Sequence, residues 1–155
     1  MSRPLQLFST TDPVGPIVTM GAEARYFIKT SFNPTQQLVA FTREPHLTEV
    51  YSTRTGDLLH QFNGHLNGAK VVSFTPDGSP LLTGVSGDDA FKFWELRENR
   101  PLQLLTLRVD AMFQFQIRFS PDGHSMSSVD QLGTIHIWRA PSWEEIEAMD
   151  GESGL

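Results

Sequence analysis

Apolar residues along this chain come in short runs, many alternating with polar positions, and the runs recur in sets. RYFIKTSF (25–32), QLVAF (37–41), LTEVYS (47–52) and DLLHQF (57–62) make the first set. KVVSF (70–74), PLLTGV (80–85), AFKFW (90–94) and PLQLLTL (101–107) make the second. FQFQIRF (113–119), HSMSSV (124–129) and TIHIW (134–138) make the third. Within 113–119, Phe113, Phe115, Ile117 and Phe119 alternate with Gln114, Gln116 and Arg118, the period-two pattern of a strand with one apolar face to pack on a neighbouring sheet. Tight turns separate the runs: NPTQ, TPDG and SPDG begin directly after Phe32, Phe74 and Phe119. In the latter two, Pro presets φ, Asp bonds back to the backbone and Gly supplies a positive φ.

The sets repeat every 42 to 45 residues, and in each an aromatic residue (Tyr51, Trp94 or Trp138) stands 19 or 20 residues after the Phe that opens the turn. A period of that length holding four short strands predicts an all-β chain of four-stranded antiparallel meanders, the blades of a β-propeller. The expected organisation is a single partial domain over 1–155, with blades at about 25–62, 70–107 and 113–139. RPLQLF (3–8) echoes RPLQLL (100–105), a fourth strand, and is expected to be the outer strand of another blade or of the last one. Three blades make an incomplete ring, since propellers have roughly four to eight. Two open end faces would leave about 600 Å² of largely apolar sheet uncovered. Either the remainder of a longer propeller chain or a second copy, giving a homodimer, would cover them.

The segment VYSTRTGDLLHQFNGH (50–65) sets an aromatic at the end of a third strand, a TG turn, a fourth strand and then the pair Gly64–His65. On these features the chain resembles the WD40-repeat family over roughly residues 25–140. The terminal WRAPSWEEIEA is similar to the last repeat of bacterial WD40 proteins, some of them fused to Ser/Thr kinases. Departures are clear: the Asp that follows the family's tryptophan is replaced by Ser52, Glu95 and Arg139, and Leu132 stands where the third turn's Asp is expected, with Asp130 two positions earlier. The resemblance implies a buried hydrogen-bonded chain of His65, Asp88, a second-strand hydroxyl and Trp94. The family's spacing for that hydroxyl lands on Gly84, flanked by Thr83 and Ser86.

Composition narrows the chemistry. The 155 residues carry a net charge of −6, yet Glu144, Glu145, Glu147, Asp150 and Glu152 hold five of the 18 acids, so residues 1–143 have 13 acids against 12 bases. No basic stripe suits nucleic acid, and an anionic membrane surface is no better served. Without cysteine there is no disulfide, thiolate metal site or thiol nucleophile. The compartment expected is cytoplasmic. His46, His60, His65, His124 and His136 show no metal-ligand spacing, and His136, between Ile135 and Ile137, reads as a polar-face strand residue. GVSG (84–87) lacks the Lys-Ser/Thr of a phosphate loop and fits a hairpin. In the acidic tail (140–155), Ser142 and Glu145 have capping-box spacing, which places Trp143, Ile146 and Met149 on a short helix.

His65, Asp88 and a nearby hydroxyl imitate a hydrolase triad, but the family's structural network accounts for the same residues. No catalytic, cofactor or metal residue is therefore assigned. The expected function is a non-catalytic scaffold for protein or peptide partners, with His65, Asn67, Asp89, Asp130 and Gln131 on partner-facing loops. A regulatory or sensory part of a bacterial signalling protein such as a Ser/Thr kinase is the alternative. A propeller hydrolase stands third, because KVVSF and FQFQIRF place no acid or histidine on the inner strands.

Overall fold

The computed structural model describes residues 3–11, 15–24, 27–43, 47–65, 68–84, 91–98, 100–108 and 114–141. Strands account for all regular structure among them: β1 (Arg3–Phe8), β2 (Pro16–Ala24), β3 (Phe27–Phe32), β4 (Leu38–Arg43), β5 (Leu47–Ser52), β6 (Leu58–Phe62), β7 (Val71–Phe74), β8 (Leu81–Gly84), β9 (Phe91–Leu96), β10 (Pro101–Leu107), β11 (Gln114–Phe119), β12 (Ser125–Asp130) and β13 (Ile135–Arg139). β3 to β6 and β7 to β10 are four-stranded antiparallel meanders, and β11 to β13 form a three-stranded sheet. The third set thus shows three strands, not four, among the described residues. The acidic tail beyond residue 141, with its expected helix, lies outside them.

One register repeats in all three sheets. The aromatic of the third strand pairs across to an apolar residue of the second: Tyr51 to Val39, Trp94 to Leu81, Trp138 to Met126. Two residues along, on the same face, Glu49 pairs with Phe41, Lys92 with Thr83 and His136 with Ser128. Because strand side chains alternate between faces, these four-residue sets all point the same way, toward the preceding sheet. Trp94 packs with Ala40 and Val50 of the first sheet, its ring centroid 4.9 Å from that of Phe62. Trp138 meets Phe91 of the second sheet edge-on at 5.5 Å, in a cluster with Val71, Leu82, Ile117 and Met126. Each large apolar side chain fully buried in these seams contributes about 1.5–3 kcal/mol.

Tyr51 finds its preceding sheet in a place the periodicity did not reveal. β1 pairs with β2 as an antiparallel hairpin, and Leu5, Leu7, Val18 and Met20 pack on Val39, Phe41 and Tyr51. Residues 3–8 therefore join Pro16–Ala24 and not the third sheet. The expectation of two bare apolar end faces is corrected accordingly: one carries this hairpin, and the other sets exposed Ile135 and Ile137 beside half-buried Ser125 and Ser127. The cover is partial. Phe32 is 58% exposed while its counterpart Phe74 is 5% exposed, and the hairpin's apolar cluster takes in residues of β4 and β5.

The turns at one end of the sheets lock side by side. Asn33 Oδ1 accepts from the backbone N–H groups of Thr35 and Gln36 at 2.9 and 2.8 Å. Its Nδ2 donates 2.8 Å to Gly78 O in the next sheet's turn, and Thr35 Oγ1 donates to Asp77 O at 3.3 Å. Gly78 has φ +85°, and a Cβ there would sit 2.2 Å from Thr35 Oγ1. Gly123, in the third turn, has φ +75° but would meet nothing nearer than 3.7 Å. Gly78→Ala is therefore expected to cost about 2–3 kcal/mol, conformational strain plus steric conflict, and Gly123→Ala only the strain of about 1–2 kcal/mol. Urea unfolding of both variants measures the difference, which vanishes if the turns do not touch.

Candidate functional site

In a meander, successive connections alternate ends. The start of the β6–β7 connection and the β12–β13 turn thus lie at the end opposite the locked turns. Two features there are built from the residues that the sequence singled out.

The first is the β6–β7 connection. His65 Nε2 lies 2.8 Å from Thr83 Oγ1, and Trp94 Nε1 donates to the same oxygen at 2.7 Å. An indole N–H only donates, so Thr83 Oγ1 accepts from Trp94 and keeps a second lone pair and its own proton with which to meet His65 Nε2. The second-strand hydroxyl is thus Thr83; a one-residue slip to Gly84 would have put the position on the opposite face of the sheet. Gly64 lies flat against the indole: a Cβ on it would come 2.2 Å from Trp94 Cζ2. The Gly-His pair has a separate reason for each member, close approach for the glycine and a hydrogen bond for the histidine. Lys92 Nζ adds a 2.6 Å bond to Gly64 O. Asp88, Asp89 and Asn67 lie outside the described residues.

A histidine beside a threonine hydroxyl has the look of a base and a nucleophile. Burial speaks for a structural contact instead: Thr83 is 0%, His65 5% and Trp94 7% exposed. His65 is for the same reason not a partner-facing side chain, which corrects its placement on that surface.

The second feature is the β12–β13 turn. Asp130 Oδ1 accepts from the backbone N–H groups of Leu132 and Thr134 at 2.8 and 2.9 Å. Its Oδ2 is 3.0 Å from His136 Nε2, whose ring stacks on Trp138 at 5.8 Å. The hydrogen bond from His136 chiefly, with help from the turn amides, holds the Asp130 carboxyl below its ordinary value. Asp130 is buried and its carboxylate is committed within the turn, so it too does not face a partner. His136 shares the seam face with Trp138, not a solvent face. What the turn presents outward is Gln131 and Leu132, the latter 84% exposed. Leu132 escaped the sequence reading because it registered only as a missing Asp.

A third polar cluster sits in the first sheet, where Phe41 replaces the hydroxyl and Tyr51 the tryptophan. Glu49, 1% exposed, accepts from Arg43 Nη2 at 2.7 Å, Gln61 Nε2 at 2.7 Å and Tyr51 Oη at 3.3 Å. Burial pushes the Glu49 carboxyl up, but the bonds from Arg43 and Gln61, the Arg43 charge and the Tyr51 bond together outweigh it and leave the group below its ordinary value. Burial and then the neighbouring Glu49 charge push the Tyr51 phenol up to about 12.

Comparison with known proteins comes down on the same residues. The family model described as WD domain, G-beta repeat matches residues 56–95, the stretch from the β5–β6 turn through His65, Thr83 and Trp94. The mouse (Mus musculus) WD repeat and SOCS box-containing protein 1 is 27% identical over 107 residues, 69% of this chain and 25% of that protein. Eukaryotic translation initiation factor 3 subunit I of Pyricularia oryzae is 29% identical over 128 residues, 79% of this chain and 36% of that protein. Protein groucho of Drosophila melanogaster is 48% identical over 54 residues, 35% of this chain and 7% of that protein. The chain spans about a quarter of the length of the SOCS box-containing relatives.

Two measurements check these clusters. Thr83→Val removes the oxygen that His65 Nε2 and Trp94 Nε1 share and is expected to lower stability by about 2–4 kcal/mol, whereas Thr83→Ser, which keeps the hydroxyl, should cost about 1 kcal/mol. Equal losses in chemical denaturation would show that the hydroxyl does not carry the contact. For Glu49 the folded pKa lies below the ordinary 4.5, so its stabilisation is complete above that value and disappears as pH falls through the folded pKa. Glu49→Gln should cost about 2–3 kcal/mol at neutral pH, less than for a fully buried pair because Arg43 keeps some water, and should flatten the fall in melting temperature below about pH 5. An unchanged acid limb in the variant would put the acid sensitivity elsewhere.

Proposed function

We propose that this chain, a member of the WD40-repeat family, acts as a non-catalytic scaffold that binds protein or peptide partners through the loop end of its sheets. The observation that carries the reading is the β12–β13 turn: a buried Asp130 with three hydrogen bonds holds the backbone still while Gln131 and an almost fully exposed Leu132 stand outward. A rigid apolar side chain loses little entropy on binding and contributes well as an anchor. Of the polar residues that imitate a catalytic set, His65 and the Thr83 hydroxyl are buried and in contact with each other, which supports a structural role for them. The proposal places the protein in the cytoplasm. The alternative as the regulatory part of a bacterial Ser/Thr kinase has no observation in its favour, as the relatives named above are eukaryotic.

Leu132→Asp tests the reading. Its exposure means the substitution should leave stability within about 0.5 kcal/mol, yet proteins captured from cell extract by the wild-type chain should be lost. Leu104→Asp, on the exposed side of β10 and 53% exposed, should keep them. Identical capture by both variants, or none by the wild type, would sink the loop-end assignment.

A further inference from the structure

The seam between the second and third sheets does not copy the seam before it. Two residues after the aromatic of the third strand, Leu96 follows Trp94 and packs into the first seam, whereas Ala140 holds that position after Trp138. On the facing side, the outer-strand residue paired with Val50 in the first sheet is His60, and its counterpart in the second sheet, paired with Phe93, is Leu105. One wall of the second seam recedes while the other turns apolar. Between them runs a groove of about 400 Å³, with Phe93, Leu105 and Leu107 on one side and Trp138, Ala140 and Pro141 on the other. The registers set these residues face to face. Leu105 and Leu107 pair with Phe93 and Phe91, on the face of the second sheet that packs against Met126, and Trp138 pairs with Met126 itself. Trp138 is half-buried and Leu105 is 49% exposed, where Trp94 in the first seam is 7% exposed.

We propose that this groove seats the chain's own acidic segment 142–155, anchored by Trp143, and that the outer side of the second seam is closed to other molecules while the segment is in place. The last described residue, Pro141, stands in the groove wall. Trp143 comes two residues later, which keeps its Cα within about 7 Å of the Pro141 Cα in any conformation. An indole brings about 150–250 Å² of surface to bury, and Ala140 leaves open the room that Leu96 takes up in the first seam. In the helix that the Ser142–Glu145 capping box would start, Ile146 stands one turn from Trp143 and adds a second apolar contact beside the anchor. A second copy or a foreign peptide would have to bring such an anchor from solution. Segment 142–155 presents one at the edge of the groove, at the effective concentration that a two-residue tether confers.

The test uses the whole chain and a Glu-specific protease, with cleavage after Glu144, Glu145 and Glu147 followed by mass spectrometry. Each rate is taken relative to that of a free synthetic peptide of the same sequence. The wild-type chain should be cut at least tenfold more slowly than its free peptide, and Trp143→Ala should lose that protection. Ala140→Leu, which restores the side chain that the first seam has at this position, should fill the groove and release the segment as well. Leu132→Asp at the loop end and Ile137→Asp on the opposite face of the third sheet should leave cleavage slow, which separates the groove from both of those surfaces. Equal relative rates in the wild type and Trp143→Ala would overturn the proposal, as would protection that survives Ala140→Leu. Protection that grows with protein concentration would place the segment on a second copy and overturn its seating within one chain.

Discussion

The oxygen of Thr83 fixes how the first two sheets meet. It receives the indole N–H of Trp94 and contacts the imidazole of His65, and so ties three elements together: the second and third strands of one sheet and the connection arriving from the sheet before. With its polar edge held, the indole can lie only one way, against Gly64 on one side and among Ala40, Val50 and Phe62 on the other. A buried hydroxyl and two buried ring nitrogens would each be costly unpaired, and together they cancel that cost. The seam between the sheets is consequently specified by direction as well as by area, which apolar contact alone does not do.

The position two residues before each seam aromatic shows how much variation the frame accepts. Glu49, Lys92 and His136 share one register and one face, yet their polar ends are satisfied by Arg43 and Gln61, by the carbonyl of Gly64, and by Asp130. Charge sign differs from sheet to sheet while the geometry does not. What the backbone demands at this site is a polar end with a partner in reach, and each sheet supplies a different one. Only the second sheet combines this with the hydroxyl and the Gly-His connection, and that sheet falls within the stretch that matches the family model.

Features encoded locally were legible in the sequence. The turns, the alternating strands and the seam aromatics are each specified within a few residues, and the structure has them in register. Features that depend on a cross-strand neighbour were not. Nothing in LTEVYS announces that Glu49 is buried, because Arg43 and Gln61 come from the strands on either side of it; Thr83 differs from Gly84 by one residue, which on a strand is the difference between two faces. β2 was missed because PIVTMGAEA opens with apolar residues on both faces: Val18 and Met20 turn inward while Ile17 is exposed. Asp130 and His136 looked unrelated at six residues apart, and only the turn between β12 and β13 brings them to 3.0 Å.

The two ends of the sheets divide the labour. At the locked end the polar groups answer one another across sheets, Asn33 to Gly78 and Thr35 to Asp77, so a partner approaching there would have to displace bonds already made. At the other end the buried polar groups His65 and Asp130 face inward, and beside Asp130 the side chains of Gln131 and Leu132 are exposed. A turn held rigid from below lowers the entropic cost of recognition, which is what favours the proposed use of the loop end.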